Sequence, residues 1–391
     1  MTNPAALRSV IAPLRAALYD FESAGAERLV REGLAGATVR LSEPFGEGEG
    51  GDHIWAAGLA PLAAAMPDLE RRDYILVAGA TDVGAEWVGT AGYYTGTFKS
   101  PLLDIPPTGH QAAMRFAEFF RIADGRVAEV QAVWDLPELM MQAAVWPLVP
   151  SLGREWHVPG PASCDGLAER HHRPEQARAS LERVVAMLTA LRRHPAEGGP
   201  ELMEMERFWH PRMSWYGPAG IGTARGIRGF RHWHQIPFLA AMPDRGTIRD
   251  GIDYHAFAEG DYVAVTGWPN MIQTLEHAGW LGLPPAGQRV SLRSLDFWRL
   301  EGGLIRENWV LVDLMHLYRQ VGIDPLARMR ELNKARRGFD PETGRAMERA
   351  ARPPSRGLPP SGSTAGAPSS PAPPRASALR PPRLWRRPAR R

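Results

Sequence analysis

Apolar residues recur with a helical period over residues 14–34 (LRAALYDFESAGAERLVREGL), and again over 177–194 (ARASLERVVAMLTALRRH) and 201–209 (ELMEMERFW). Each helical stretch is followed by a short strand-like run, VRLS at 39–42 or RMSWY at 212–216, and then a Gly-rich loop. A further helical pattern follows, at 53–65 and 227–241, closed each time by Met-Pro-Asp, because proline cannot continue a helix. The remainder alternates with period two: RDYILVAG, AEWVGTAGYY, HQAAMRFAEFFRI and RVAEVQAVWD, with Gly, Pro and Asp turns between them. Helices first and a strand meander afterwards predict an α+β domain whose curved sheet wraps around its helices.

The pattern occurs twice. A shift of 178 positions aligns residues 106–142 with 284–320, and twelve of these 37 positions are identical without a gap. The matches include Gly109/Gly287, Arg115/Arg293, Phe119/Phe297, Glu129/Glu307, Asp135/Asp313 and Gln142/Gln320, while Glu118 and Asp296 agree in charge. A period this long means two whole domains rather than solenoid repeats. The expected boundaries are 1–155 for copy one, 156–175 for a linker, 176–335 for copy two and 336–391 for a tail.

Composition narrows the class. Of 391 residues 44% are hydrophobic and 23% charged, as in a soluble globular protein. Residues 351–391 hold nine Arg and no Asp or Glu; the whole chain is +3, so residues 1–350 carry −6. The basic character belongs to a Pro-, Ser- and Arg-rich tail with almost nothing to bury, which reads as disordered. Nucleic acid is expected, if anywhere, only at that tail; solvated filler is the plainer reading. One cysteine, Cys164, excludes an intramolecular disulfide and a Cys-based metal cage. No run approaches the roughly 18 apolar residues of a membrane span, and the expected address is cytoplasmic.

Several ordered motifs carry a family likeness: Met66-Pro67-Asp68 and Met242-Pro243-Asp244, then PPTG and PPAG, FFRIADGRVAE and FWRLEGGLIRE, and finally WDLPELMMQ and VDLMHLYRQVG. The chain resembles the SnoaL-like polyketide cyclases of the nuclear transport factor 2-like superfamily, in two tandem copies. The resemblance implies two cone-shaped domains, each enclosing an apolar pocket, with a strand-borne Asp as acid/base. That role maps onto Asp313 and, in copy one, Asp135. A carboxylate at the mouth of an aromatic cavity is partly desolvated, which raises its pKa towards neutrality. The alternative is that Asp313 caps the helix after it. By strand parity Trp309 shares a face with Asp313 and is a candidate for the cavity wall.

The family's inward histidine on a middle strand is replaced by Tyr94 in copy one and, by the same shift, by Ile272 in copy two. Glu118 and Asp296 share a strand position and are candidates for the pocket, although neighbouring arginines suit structural pairing. His232 and His234 are two apart on a helix and point to different faces, which disfavours a shared metal ion. One of them, with Trp209, Trp215 or Trp233, is a candidate for the pocket, as are Trp87 and Trp298.

The expected function is a cofactor-free cyclase or isomerase acting on a small apolar or polyketide-like carbonyl compound. Asp313 or Asp135 would shuttle the proton, and Tyr94, His232 or His234 would meet the developing oxyanion. The alternatives are a non-catalytic small-molecule-binding module and an epoxide hydrolase or dehydratase using the same pocket. The two copies are expected to form an internal pseudo-dimer, with no metal and no membrane partner.

Overall fold

The computed structural model describes residues 3–277 and 279–337. The Arg-rich tail and its expected disorder lie outside the described residues. Two tandem α+β domains follow one another in the chain. In copy one, helices α1 (Pro4–Tyr19) and α2 (Ser23–Gly33) form a hairpin. Asn3 caps α1 by accepting from the amides of Ala5 and Ala6. Leu7, Ile11, Leu14 and Leu18, spaced three and four apart, give α1 its buried stripe.

Strands β1 (Thr38–Leu41) and β2 (Glu47–Glu49) precede α3 (Gly50–Ile54), a π-helical turn at Trp55–Leu59 and α4 (Ala60–Ala65). The long strands β3 (Glu70–Ala80), β4 (Glu86–Thr97), β5 (Gln111–Ala123) and β6 (Arg126–Trp134) then form a meander, ending in helix α5 (Leu136–Gln142). The sheet order is β2-β1-β6-β5-β4-β3, antiparallel except that β1 runs parallel to β6.

Copy two repeats this plan with α6 (Pro174–Arg192), a 3-10 turn at Pro200–Met203, α7 (Met205–Phe208), β7 (Trp209–Tyr216) and β8 (Thr223–Arg225). Helix α8 (Gly226–Phe230), a π-helical turn at Arg231–Gln235 and α9 (Ile236–Ala241) come next, and β7 runs parallel to the last strand.

Its meander differs. Copy one has an unbroken β3 and β4; copy two has the short strands β9 (His255–Glu259), β10 (Tyr262–Thr266) and β11 (Met271–Leu275). The counterpart of β5 is likewise split into β12 (Gln288–Leu292) and β13 (Ser294–Glu301), before β14 (Leu304–Val312), α10 (Leu314–Gln320) and α11 (Pro325–Arg337). Asn270 holds the break, bonding Ser294 through both its side-chain nitrogen and oxygen (2.7 and 2.9 Å). Strands β11 and β12 pair as a separate hairpin. The cone of copy two is therefore split open where that of copy one is continuous.

Each sheet uses one face for its own helices and the other for its sister. Ile75, Trp87, Phe119, Phe297, Trp309 and Leu311 belong to one buried apolar cluster drawn from both sheets. Phe119 and Phe297 stack in it with centroids 5.0 Å apart. Gly89 makes room: a Cβ there would lie 2.9 Å from Phe119 and 3.1 Å from Phe297. Arg8 and Glu259 add a buried ion pair of 2.7 Å between the copies.

Candidate functional site

The open cone of copy two encloses a cavity of about 360 Å³. Its wall comes from α6, from Trp209 and Trp215 on β7, from Phe230, His234 and Phe238 on the helix, and from the concave face of β13 and β14. On β14 the even positions Asn308, Val310 and Val312 face the cavity. The odd positions Trp309 and Leu311 face the sister sheet. Trp309 thus shares a strand with the cavity but not a face, and its Nε1 donates to Pro159 O at 2.9 Å. Strand parity groups these residues correctly; only packing decides which group faces the cone.

A carboxyl and an imidazole line the cavity wall. Asp296 lies on β13, where burial pushes its carboxyl up to about 7 against the opposing influence of Ser294, Asn308 and Arg245. Ser294 Oγ donates to it at 2.6 Å. His234 stacks on Trp215 (4.1 Å between centroids, 16° between planes), and burial holds its imidazole down to about 3. It is therefore neutral at physiological pH, and its Nδ1 has no partner among the described residues. Trp209, Trp280 and Trp298 also line this cavity; their indole Nε1 atoms are buried and have no acceptor among the described residues.

Copy one fills the same space. The carboxylate of Glu118, in the position of Asp296, accepts from Arg71 Nη1 (2.6 Å), Tyr94 Oη (2.9 Å) and Trp134 Nε1 (2.9 Å). Asp73 completes the network with an ion pair of 3.0 Å to Arg71. Trp134 stands where copy two has Val312, and its ring lies where a Cβ on Gly58 would be, 2.5 Å away. The corresponding helix position in copy two is His234. An indole over a glycine thus becomes an imidazole facing a valine, and space appears between them.

The two strand-end acids do not line this cavity. Asp313 caps α10, accepting from His316 N at 3.0 Å. It also accepts from Glu43 N of copy one at 3.1 Å and pairs with Arg293 at 3.4 Å. Asp135 makes no side-chain cap bond to α5; it accepts from Ala219 N of copy two and from Arg115, both at 2.9 Å. The strand registers place residues 43 and 219 equivalently, so each acid ties its own copy to the same loop of the other. Burial raises both carboxyls, Asp313 to about 6, with Arg293 and Arg115 opposing the shift.

The structure thus brings Asp296, His234, Trp209, Trp215 and Trp298 together. Tyr94 and Glu118 lie inside the filled cone, Trp87 lies in the seam between the sheets, and His232 and Trp233 are exposed. Register also corrects the counterpart of Tyr94: Tyr94 pairs with Met114, and Met271, not Ile272, pairs with the equivalent Leu292.

Arg192, Arg245, Arg249 and Tyr254 also line the cavity and went unnoticed in the sequence. For Arg245 and Arg249 the signal is an insertion. Four residues separate Asp68 from Asp73-Tyr74, but eight, including Gly246 and Gly251, separate Asp244 from Asp253-Tyr254. Among the described residues no group of three or more His, Cys, Asp or Glu gathers as a metal site, and no helix is long and apolar enough to cross a membrane.

Three solved structures illustrate the similarity. AclR from Streptomyces galilaeus is 19% identical over 38% of this chain and 87% of its own, with a TM-score of 0.31. IdmH from Streptomyces antibioticus is 21% identical over 35% and 97%, with a TM-score of 0.30. TsrD from Streptomyces laurentii is 26% identical over 36% and 96%, with a TM-score of 0.27. No curated protein matches the chain. The SnoaL-like polyketide cyclase profile matches twice, over residues 14–143 and 199–321, and the chain belongs to that family.

Proposed function

We propose that copy two binds a small aromatic or polyketide-like carbonyl compound and moves a proton on it, while copy one serves as its structural partner in an internal pseudo-dimer. The observation that carries this reading is that Asp296 on the sheet and neutral His234 on the helix line one cavity, in the space that Trp134 fills in copy one. A carboxyl near pKa 7 exchanges protons efficiently at neutral pH. Asp296 removes the proton alpha to the carbonyl, and a neutral imidazole N–H hydrogen-bonds the oxygen on which charge develops. Asp313 and Asp135 act instead as ties between the copies. The second reading is a binding module without turnover, which the aromatic lining from Trp209, Trp215 and Trp298 would serve equally well.

Deuterium exchange at the methyl group of 2-acetylnaphthalene, followed by NMR in heavy water, tests the proposal. The wild-type chain is expected to speed exchange by about 10²-fold or more over buffer, as a positioned base does, and Asp296→Asn to abolish that gain. Asp313→Asn is expected to retain it. Tight binding without exchange favours the binding module, and full exchange by Asp296→Asn sinks the assignment of the base.

A further inference from the structure

The mouth of the cavity carries positive charge with little to balance it. Arg192 closes α6, and Arg245 and Arg249 come from the inserted loop; all three line the cavity. Among the described residues none of the three has a carboxylate within 4 Å. Arg245 donates once, to Leu191 O at 3.1 Å, and Arg192 and Arg249 make no side-chain hydrogen bond among those residues. Burial and then the neighbouring Arg192 lower the Arg245 pKa to about 10, and burial and then Arg249 lower that of Arg192. Of the nearby acids, Asp296 alone acts on this charge, through its attraction to Arg245. Asp244 is engaged by the amide and hydroxyl of Thr274, and Asp250 is exposed with no ion pair among the described residues. Among the described residues Asp296 is the one carboxyl on the cavity wall.

Copy one is balanced where copy two is not. There Arg15 of α1 pairs with Asp73 at 2.8 Å, and Arg71 of β3 pairs with Asp73 and Glu118 at 3.0 and 2.6 Å. Like charges held close together raise the free energy unless an anion joins them, most of all where burial reduces screening, as at Arg245. Guanidinium groups with free N–H donors bind planar oxyanions in the two-pronged geometry that suits carboxylates.

We infer that the ligand of the copy-two cavity is an organic acid, its carboxylate held among Arg192, Arg245 and Arg249 at the mouth and its apolar body set against the tryptophans. This rests on the reading of the cavity as the ligand site and specifies the substrate class of that site. It also orients the ligand, with the charged end at the inserted loop and the reacting carbonyl towards Asp296 and His234.

Calorimetric titration of the full chain with 2-naphthoic acid, its methyl ester and 2-naphthyl phosphate tests the inference. The acid is expected to bind at least about tenfold more tightly than the ester, as charge-assisted bonds require. That advantage is expected to shrink in about 0.5 M salt. Arg245→Met and Arg249→Gln should each weaken the acid while leaving the ester within about twofold. Arg249 is exposed, so Arg249→Gln keeps the test valid if Arg245→Met fails to fold, which circular dichroism reads.

Equal binding of acid and ester overturns the inference and leaves the cavity as a ligand site. Tighter binding of the phosphate than of the acid overturns the carboxylate in favour of a phosphate monoester. No heat from any of the three with folded wild-type protein overturns the ligand site itself, and the inference with it.

Discussion

Phe119 and Phe297 occupy the same position in the two copies, and their rings stack on each other with centroids 5.0 Å apart. A residue that touches its own counterpart marks the axis of a two-fold arrangement, which in separate subunits would be an isologous dimer interface. The seam is expected to be cooperative. Phe119→Ala and Phe297→Ala should each cost about 3–5 kcal/mol, as buried aromatic truncations do. The double variant should cost less than their sum, because the second loss removes a ring whose partner is already gone. Urea midpoints of the four proteins check this; strict additivity would contradict the shared stack.

The two cavity groups give stability opposite slopes with pH. Asp296 binds its proton more tightly folded than unfolded, so its contribution is fully present below 3.8 and is lost as pH rises through about 7. His234 binds its proton less tightly when folded, so its contribution is present above 6.5 and is lost as pH falls towards 3. Asp296→Asn should therefore stabilise the chain at pH 8 and not at pH 4. Three pKa units convert to about 4 kcal/mol, and partial exposure to the cavity reduces the expected gain to about 2. His234→Gln should flatten the loss of stability between pH 6 and 4. Denaturation midpoints across this range read both slopes.

The strand-end acids should affect folding rather than turnover. Asp135→Ala leaves Arg115 buried with Glu138 as its remaining acidic partner and is expected to cost about 3–5 kcal/mol. Asp313→Ala removes a helix cap and the contact to Glu43, while Arg293 keeps Glu47 at 3.0 Å; a cost of about 1–2 kcal/mol is expected. Ligand affinity of the folded Asp313→Ala protein should stay within about threefold of wild type, below the 1 kcal/mol that marks an anchor residue.

Copy one supplies a design for closing copy two. Val312→Trp places an indole against His234 and should destabilise by about 1–3 kcal/mol through overpacking. Adding His234→Gly recreates the pairing of Trp134 with Gly58 and should recover most of that loss. Both variants should lose ligand binding, whereas wild type binds one ligand per chain; calorimetry measures each.

The duplication was legible because identical residues recur at one fixed shift, and the helix-then-meander order follows from a change of period at each Met-Pro-Asp. Asp313 and Trp309 show where such reading ends. Their placement on one face of a strand is a local property, but whether that face meets helices or a second sheet depends on residues over a hundred positions away. The break between β10 and β11 hides similarly: Gly267 to Asn270 reads as an ordinary turn, and only the pairing of Met271 with Leu292 exposes the shift. His234 could be singled out as a histidine among aromatics. Its inward aim needed the π-helical turn, which rotates it over Trp215 and leaves His232 in solvent.

The face-to-face packing of the two sheets has a consequence in mass action. Both halves of the seam travel on one polypeptide, so each meets the other at an effective concentration set by the connecting chain and not by the amount of protein present. Dilution cannot separate them, and neither half exchanges partners with another molecule while the chain stays folded. Freed from acting as both sides of a symmetric pair, one copy could fill its interior while the other kept an opening.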